Sequence, residues 1–251
     1  MGHVRAAVDH EYGVPVPGRV VDRAQWTRTA LKKLPAEGPL DWEALFGRRA
    51  PVVLDIGCGN GRFLLASAIA RPEMDHLGVD ILPVVIRYAT RRANQRGLTN
   101  VRWAVVGGHE LLARYVSPHG AAEIHCYHPQ PHEGRHTNVG RLVTPGFLAL
   151  IHRALAPGGL FVIQTDNETY WQYIREVVPV LFAFEEHPGR WPDAPEGRTR
   201  REIYALKKGL PVFRGVGTAR TDLVESDVDA LAASLPQPDF RTLRPRRRPR
   251  R

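Results

Sequence analysis

The chain has 251 residues, enough to bury the core of one α/β domain with trimmings, and no run in it is apolar enough to span a membrane. Its two cysteines, Cys58 and Cys126, stand far apart in no CxxC pair, which excludes a disulfide framework and a thiolate zinc site; a soluble, cytoplasmic protein is expected. The net charge of +9 sits at one end: residues 241–251, RTLRPRRRPRR, hold seven arginines and no acid, leaving +2 for the rest.

Residues 1–48 mix proline, glycine and charge and read as an N-terminal extension with one short helix around TRTALKKL. Strand-like and helix-like segments then alternate. PVVLDIG reads as a buried strand, FLLASAIAR as a helix and HLGVDI as a second strand. PVVIRYATRRANQRG follows as a helix, with Pro83 near its start and Gly97 at its end, and its arginines read as a solvated face. VRWAVV and AEIHCY are further strands, TPGFLALIHRALAPGG is a helix, and LFVIQTD is the strand after it. VFRGVGTAR reads as a final strand and SDVDALAASLP as a short helix before the tail. This alternation predicts an α/β fold, a doubly wound and mostly parallel Rossmann-like sheet with helices on both faces. The predicted domain covers residues 49–220, and residues 221–251 form an arginine-rich tail whose composition predicts disorder.

LDIGCGNGRFLL puts Asp55, Gly57, Gly59 and Gly61 on the turn from the first strand into the first helix, where small residues let a ligand touch the backbone. A dinucleotide fingerprint wants its third glycine at position 62, where Arg62 stands. A carboxylate at Asp55 repels a diphosphate and suits a cationic amine or sulfonium. Asp80, ending the second strand, can accept both hydroxyls of a ribose. S-adenosylmethionine has an amine, a sulfonium and a ribose but no phosphate, and is the expected cofactor.

The histidines at 125, 128, 132 and 136 have helical spacing, yet Pro129, Pro131 and Gly134 forbid a helix and no acid is fixed beside them. No metal is expected there.

The segments PLDWEALFGRRAPVVLDIGCGNGRFLL, HPQPHEGRHTNVGRLV, LAPGGLFVIQTDNETY and GRTRREIYALKKG occur in the order and spacing of the bacterial tRNA (guanine-N7-)-methyltransferases, and residues 38–208 resemble that family. The resemblance implies a class I methyltransferase fold, S-adenosylmethionine as methyl donor, and a guanosine in the variable loop of tRNA as acceptor. The family's middle signature, close to FPDPWPKKRHNKRRLV, corresponds to His128–Val143; Gln130 stands for its aspartate and His132 for its tryptophan. Gly108 and His109 occupy positions near the adenine where the family has an acid and an alanine. The resemblance assigns Asp166 and Gln130 to the reacting centre. It assigns Asp166, Thr199 and Glu202 to the target guanine, and Arg135 and Arg141 to the substrate. For Asp166 the residues alone favour a cap on the helix that starts at NETY. Two alternatives follow from the altered loop: a methyltransferase of the same fold with another acceptor, or an inactive homologue that binds cofactor and RNA. The loop has fewer basic residues than the family's, and the arginine tail could supply the missing grip on phosphate.

Overall fold

The structure, a computed structural model, describes residues 9–129 and 141–238. In chain order the elements are β1 (His10–Glu11), β2 (Val14–Pro15), β3 (Ala30–Leu31), α1 (Trp42–Phe46), β4 (Val52–Ile56), α2 (Arg62–Ala70), β5 (Asp75–Asp80), α3 (Pro83–Gln95) and β6 (Val101–Val105). There follow α4 (Gly108–Glu110), β7 (Ala121–Tyr127), α5 (Pro145–Ala154), β8 (Leu155–Thr165), α6 (Glu168–Leu181), β9 (Phe182–Glu186), α7 (Arg200–Lys207), β10 (Phe213–Ala219) and α8 (Glu225–Ser234).

Eight strands form one sheet in the order β3-β6-β5-β4-β7-β8-β10-β9, and β1 pairs with β2 in a separate hairpin. β10 runs antiparallel to both its neighbours, while the other pairs are parallel. The strand order reverses between β4 and β7, which is where a doubly wound sheet opens its ligand crevice. Alternation along β4 sends Leu54 and Ile56 into a core with Phe147, Ile151 and Tyr170 on one face, and Val53 into a core with Phe63, Leu64 and Trp103 on the other. Both faces are dry, which is why β4 reads as an unbroken apolar run.

Four expectations need correction. TRTALKKL is not a helix: Ala30 and Leu31 pair with Trp103 and Ala104, so the free edge of β6 recruits the segment as a strand. The 1–48 extension therefore adds a strand to the main sheet. The helix before β8 stops at Ala154, because Pro157 lacks an N–H and pushes Ala156 out of helical conformation; LAPGG joins β8 instead. The 221–251 tail contains α8, whose buried Val228 and Ala232 pack with α5 and α6, and residues 239–251 lie outside the described residues. Finally, the arginines of α3 are not all on a wet face. Arg92 and Arg96 are buried, and Arg92 pairs with Asp9 at 2.7 Å and Glu11 at 2.6 Å.

Candidate active site

The crevice is built from chain ends that the strand order brings together: the β4–α2 turn, the end of β5, the β6–α4 turn, the end of β7 and the end of β8. In the β4–α2 turn, Gly57 and Gly59 have φ of 75° and 54°, and a side chain at either would meet nothing within 4 Å. The space above them is open to a ligand. Gly61 and Gly108 serve differently. A Cβ on Gly61 would lie 2.5 Å from Trp103, and one on Gly108 2.3 Å from Ile56, so both are small for packing. His109 is exposed in the short α4.

Asp55 is 2 % exposed and its Oδ1 has no hydrogen-bond partner among the described residues. Burial, with a smaller contribution from Asp80, pushes its carboxyl up from 3.8 to about 8. Asp80 is held open by the backbone: Gly59 N–H donates to Oδ2 at 3.1 Å and Leu82 N–H to Oδ1 at 2.9 Å. Each oxygen keeps a lone pair for a further donor.

The hairpin β1–β2 clamps the same turn from outside. Glu11 is buried; its Oε1 accepts from Asn60 Nδ2 and Arg92 Nη1, both at 2.6 Å, and its Oε2 from Arg62 Nη1 at 3.4 Å.

At the end of β8, Asp166 is not a helix cap. Asn167 caps α6 by accepting from Tyr170 N at 2.8 Å, leaving the Asp166 carboxylate in the crevice. Its Oδ1 accepts from His128 Nδ1 at 2.9 Å, and its Oδ2 accepts from Arg201 Nη2 at 2.6 Å and Nε at 3.0 Å. Burial alone would raise this carboxyl, but the bonds from His128 and Arg201 outweigh it and hold it well below the usual carboxylate range.

The protons in this cluster can be assigned in sequence. The Trp191 indole N–H can only donate, and it donates to Gln164 Oε1 at 2.6 Å. The Gln164 amide nitrogen must then donate to His128 Nε2, 2.8 Å away, so the imidazole carries its proton on Nδ1 and passes it toward Asp166. A second buried chain runs beside it: Arg71 Nη1 donates to Glu123 Oε1 at 2.6 Å, His125 Nε2 to Glu123 Oε2 at 2.8 Å, and Tyr127 O–H to His125 Nδ1 at 3.0 Å. Arg198 closes it, donating to Tyr127 Oη at 2.9 Å while its guanidinium lies 3.9 Å over the Trp191 ring.

Thr199 and Glu202 are brought together at the start of α7. Thr199 caps α7 by accepting from Glu202 N at 3.1 Å. Glu202 is 0 % exposed; Oε1 accepts from Arg214 Nη2 at 2.5 Å and Oε2 from Arg198 N at 2.7 Å. Glu202, expected at the guanine, thus has both carboxylate oxygens bonded within the protein in this structure. Arg141 is likewise buried, beside Tyr170 and Tyr173, instead of presented to solvent. Gln130, His132, Arg135 and His136 lie outside the described residues. Among the described residues no group of three or more His, Cys, Asp or Glu could hold a metal ion. Sequence reading missed Gln164, Trp191, Arg201 and Glu11. Arg201, one residue before Glu202, and Gln164, two before Asp166, fall inside segments that carry the resemblance; Trp191 and Glu11 do not.

A parallel sheet with one antiparallel strand, a glycine turn backed by an unpartnered acid and a second acid ending the next strand define a class I methyltransferase. A family model described as a putative methyltransferase matches residues 49–215. The tRNA (guanine-N(7)-)-methyltransferase of Alkalilimnicola ehrlichii is 31 % identical over 75 % of this chain and 81 % of its own, and that of Halorhodospira halophila is 32 % identical over 75 % and 84 %. The enzyme of Methylococcus capsulatus is 37 % identical over 69 % and 75 %. Among solved structures, the 16S rRNA methyltransferase KamB superposes with a TM-score of 0.56 at 15 % identity, over 76 % of this chain and 98 % of that one, which speaks to the fold. The chain belongs to the tRNA (guanine-N7-)-methyltransferase family.

Proposed function

We propose that the protein transfers a methyl group from S-adenosylmethionine to N7 of a guanosine in tRNA. The observation that carries the reading is the buried carboxyl of Asp55, whose Oδ1 has no partner among the described residues, behind a glycine turn with open space above it. That pairing suits a ligand with a cationic group and no phosphate, and Asp80, with one lone pair left on each oxygen, suits a ribose diol. The donor supplies an electrophilic methyl on a sulfonium. Guanine N7 has a lone pair and no proton, so the protein needs no general base; it has to hold the ring in line and fix its orientation.

Asp166 is the group suited to that holding. His128 and Arg201 keep it ionised across the neutral range, so it stays an acceptor, and Oδ1 retains a lone pair for a guanine N–H. Asp55 is two strands from β8, about 10 Å across the sheet, and Asp166 lies four residues further along than its register partner, about 13 Å. A methyl donor and a purine side by side fit such a span. Thr199 and Glu202 support this arrangement indirectly: they cap α7, which carries Arg201, and anchor the backbone of Arg198.

A tRNA transcript made with 7-deazaguanosine tests the chemistry, because it lacks the N7 lone pair and keeps the Watson–Crick edge. The ordinary transcript should take up labelled methyl and the deaza transcript none. Equal labelling of both would place the methyl on another atom and overturn the reading. Gln130→Asp restores the family's residue and should leave activity equal or higher; a sharp loss would mean that Gln130 is adapted to another acceptor.

A further inference from the structure

A cavity of about 540 Å³ opens between α3 and the β3–β6 edge of the sheet, and none of the crevice residues above lines it. Its floor is Trp103, fully buried, whose ring edge at Cζ3 packs under Gly61 and Gly78. The opposite edge carries Nε1, which, like Thr90 Oγ1, is buried behind the cavity wall without a partner among the described residues. Trp26, 40 % exposed, stands at the mouth. Three cations line it, Lys32 from β3–α1 and Arg87 and Arg91 one turn apart on α3. All three are exposed, none pairs with an acid among the described residues, and no acid lines the cavity.

The cavity begins beside the crevice. Val105 and Pro83 line its upper end, and Val105 is the register partner of Asp80. At about 1.5 Å per residue, Arg87 and Arg91 lie about 6 and 12 Å along α3 from Pro83. An anion held there is within the same polynucleotide's reach of the reacting centre.

We propose that this cavity docks an unpaired nucleotide of the tRNA at a distance from the methylated guanosine, its base against Trp26 and its phosphates on Lys32, Arg87 and Arg91. The proposal rests on the reading that tRNA is the acceptor. An acidic peptide would satisfy the three cations and leave the exposed Trp26 ring unused. A nucleotide uses both, since every base offers a π-face to an exposed indole ring beside its phosphates.

The test is binding of bulk tRNA lacking the N7 mark across a salt titration, using the full chain, the triple variant Lys32→Ala/Arg87→Ala/Arg91→Ala, the cavity-filling Ala30→Trp and the platform deletion Trp26→Ala. The triple variant should bind at least about tenfold more weakly, with the slope of log K against log salt reduced by about 2 to 3, one phosphate's worth per cation. Ala30→Trp and Trp26→Ala should each weaken binding about fivefold with the slope unchanged, because they remove a base's place and no charge. S-adenosylmethionine affinity should match the parent protein in all of them, which separates weakened RNA binding from a damaged fold. Parental affinity and slope in every variant, with methyl transfer to tRNA intact, overturn the cavity proposal alone. A loss confined to the triple variant also overturns it, by showing phosphate grip without a docked base. If the parent protein neither binds nor methylates tRNA, the functional reading fails and this proposal with it.

Discussion

Replacing Asp55 by asparagine should make the cofactor-free protein more stable, and by an amount that depends on pH. The carboxyl titrates at about 8 in the fold against 3.8 in an unfolded chain. Above 3.8 the unfolded chain gives up this proton first, so native stability is lost as pH climbs toward 8 and levels off beyond it. The full difference is on the order of 5 kcal/mol. Asparagine is itself a buried polar group without a full set of partners, so a net gain of about 2 kcal/mol is expected at pH 8, or about 4 to 8 °C in Tm. The carboxylate penalty falls to about 3 kcal/mol at pH 6 while the cost of asparagine does not change with pH, so the gain should vanish there. Cofactor binding should show the mirror image: a cation favours the ionised form, so affinity should rise close to tenfold per pH unit up to about 8 and then flatten, with one proton released on binding at neutral pH. Thermal melts of the parent protein and Asp55→Asn with and without S-adenosylmethionine, and calorimetric titration in buffers of different ionisation enthalpy, read both effects. A less stable Asp55→Asn at pH 8, or a pH-independent affinity in the parent protein, would refute the argument that Asp55 is a carboxyl awaiting a cation.

Glu202→Ala strands the buried guanidinium of Arg214 and should cost about 3 to 5 kcal/mol, seen as a Tm drop of about 10 °C, whereas a mainly catalytic role predicts loss of activity at unchanged Tm. Asp166→Asn should leave cofactor affinity as it is and lower the rate of methyl transfer about a hundredfold, since the ring loses a permanently charged acceptor; an equal loss of cofactor affinity would contradict its placement at the acceptor. Burial raises the carboxyl of Glu123, but the bonds from His125 and Arg71 bring it down to about 2. Its stabilisation is thus present above 4.5 and lost as pH falls toward 2, and Arg71→Met should move the acid-unfolding midpoint upward. Glu11→Ala should weaken cofactor binding by loosening Asn60 and Arg62, with the change read as a rise in Kd at constant helix content.

The fold was legible wherever a segment's own pattern decided its fate. β4, α2, β5 and α3 follow from apolar runs and punctuation by glycine and proline, and Asp55 and Asp80 follow from the turn those elements make. Partners far apart in sequence were not legible. Ala30 and Leu31 become a strand only because β6 leaves an edge free, and Arg92 is buried only because Glu11 lies over it, 81 residues away. Within the site, Thr199 and Glu202 occur in a motif that reads equally as a substrate contact and as a helix cap; in the structure Thr199 caps α7 and Glu202 is buried against Arg214. The reverse holds at Asp166: the capping duty suggested by NETY falls to Asn167, which frees the carboxylate for the crevice. The relay from Trp191 through Gln164 to His128 joins three separate segments, so no local pattern could announce it.

The decisive experiment is transfer of a labelled methyl from S-adenosylmethionine into bulk tRNA lacking the N7 mark, with the product nucleoside identified by mass spectrometry. 7-Methylguanosine is the expected labelled product. Label in any other nucleoside, or no label from a protein that binds the cofactor, would contradict the proposed function.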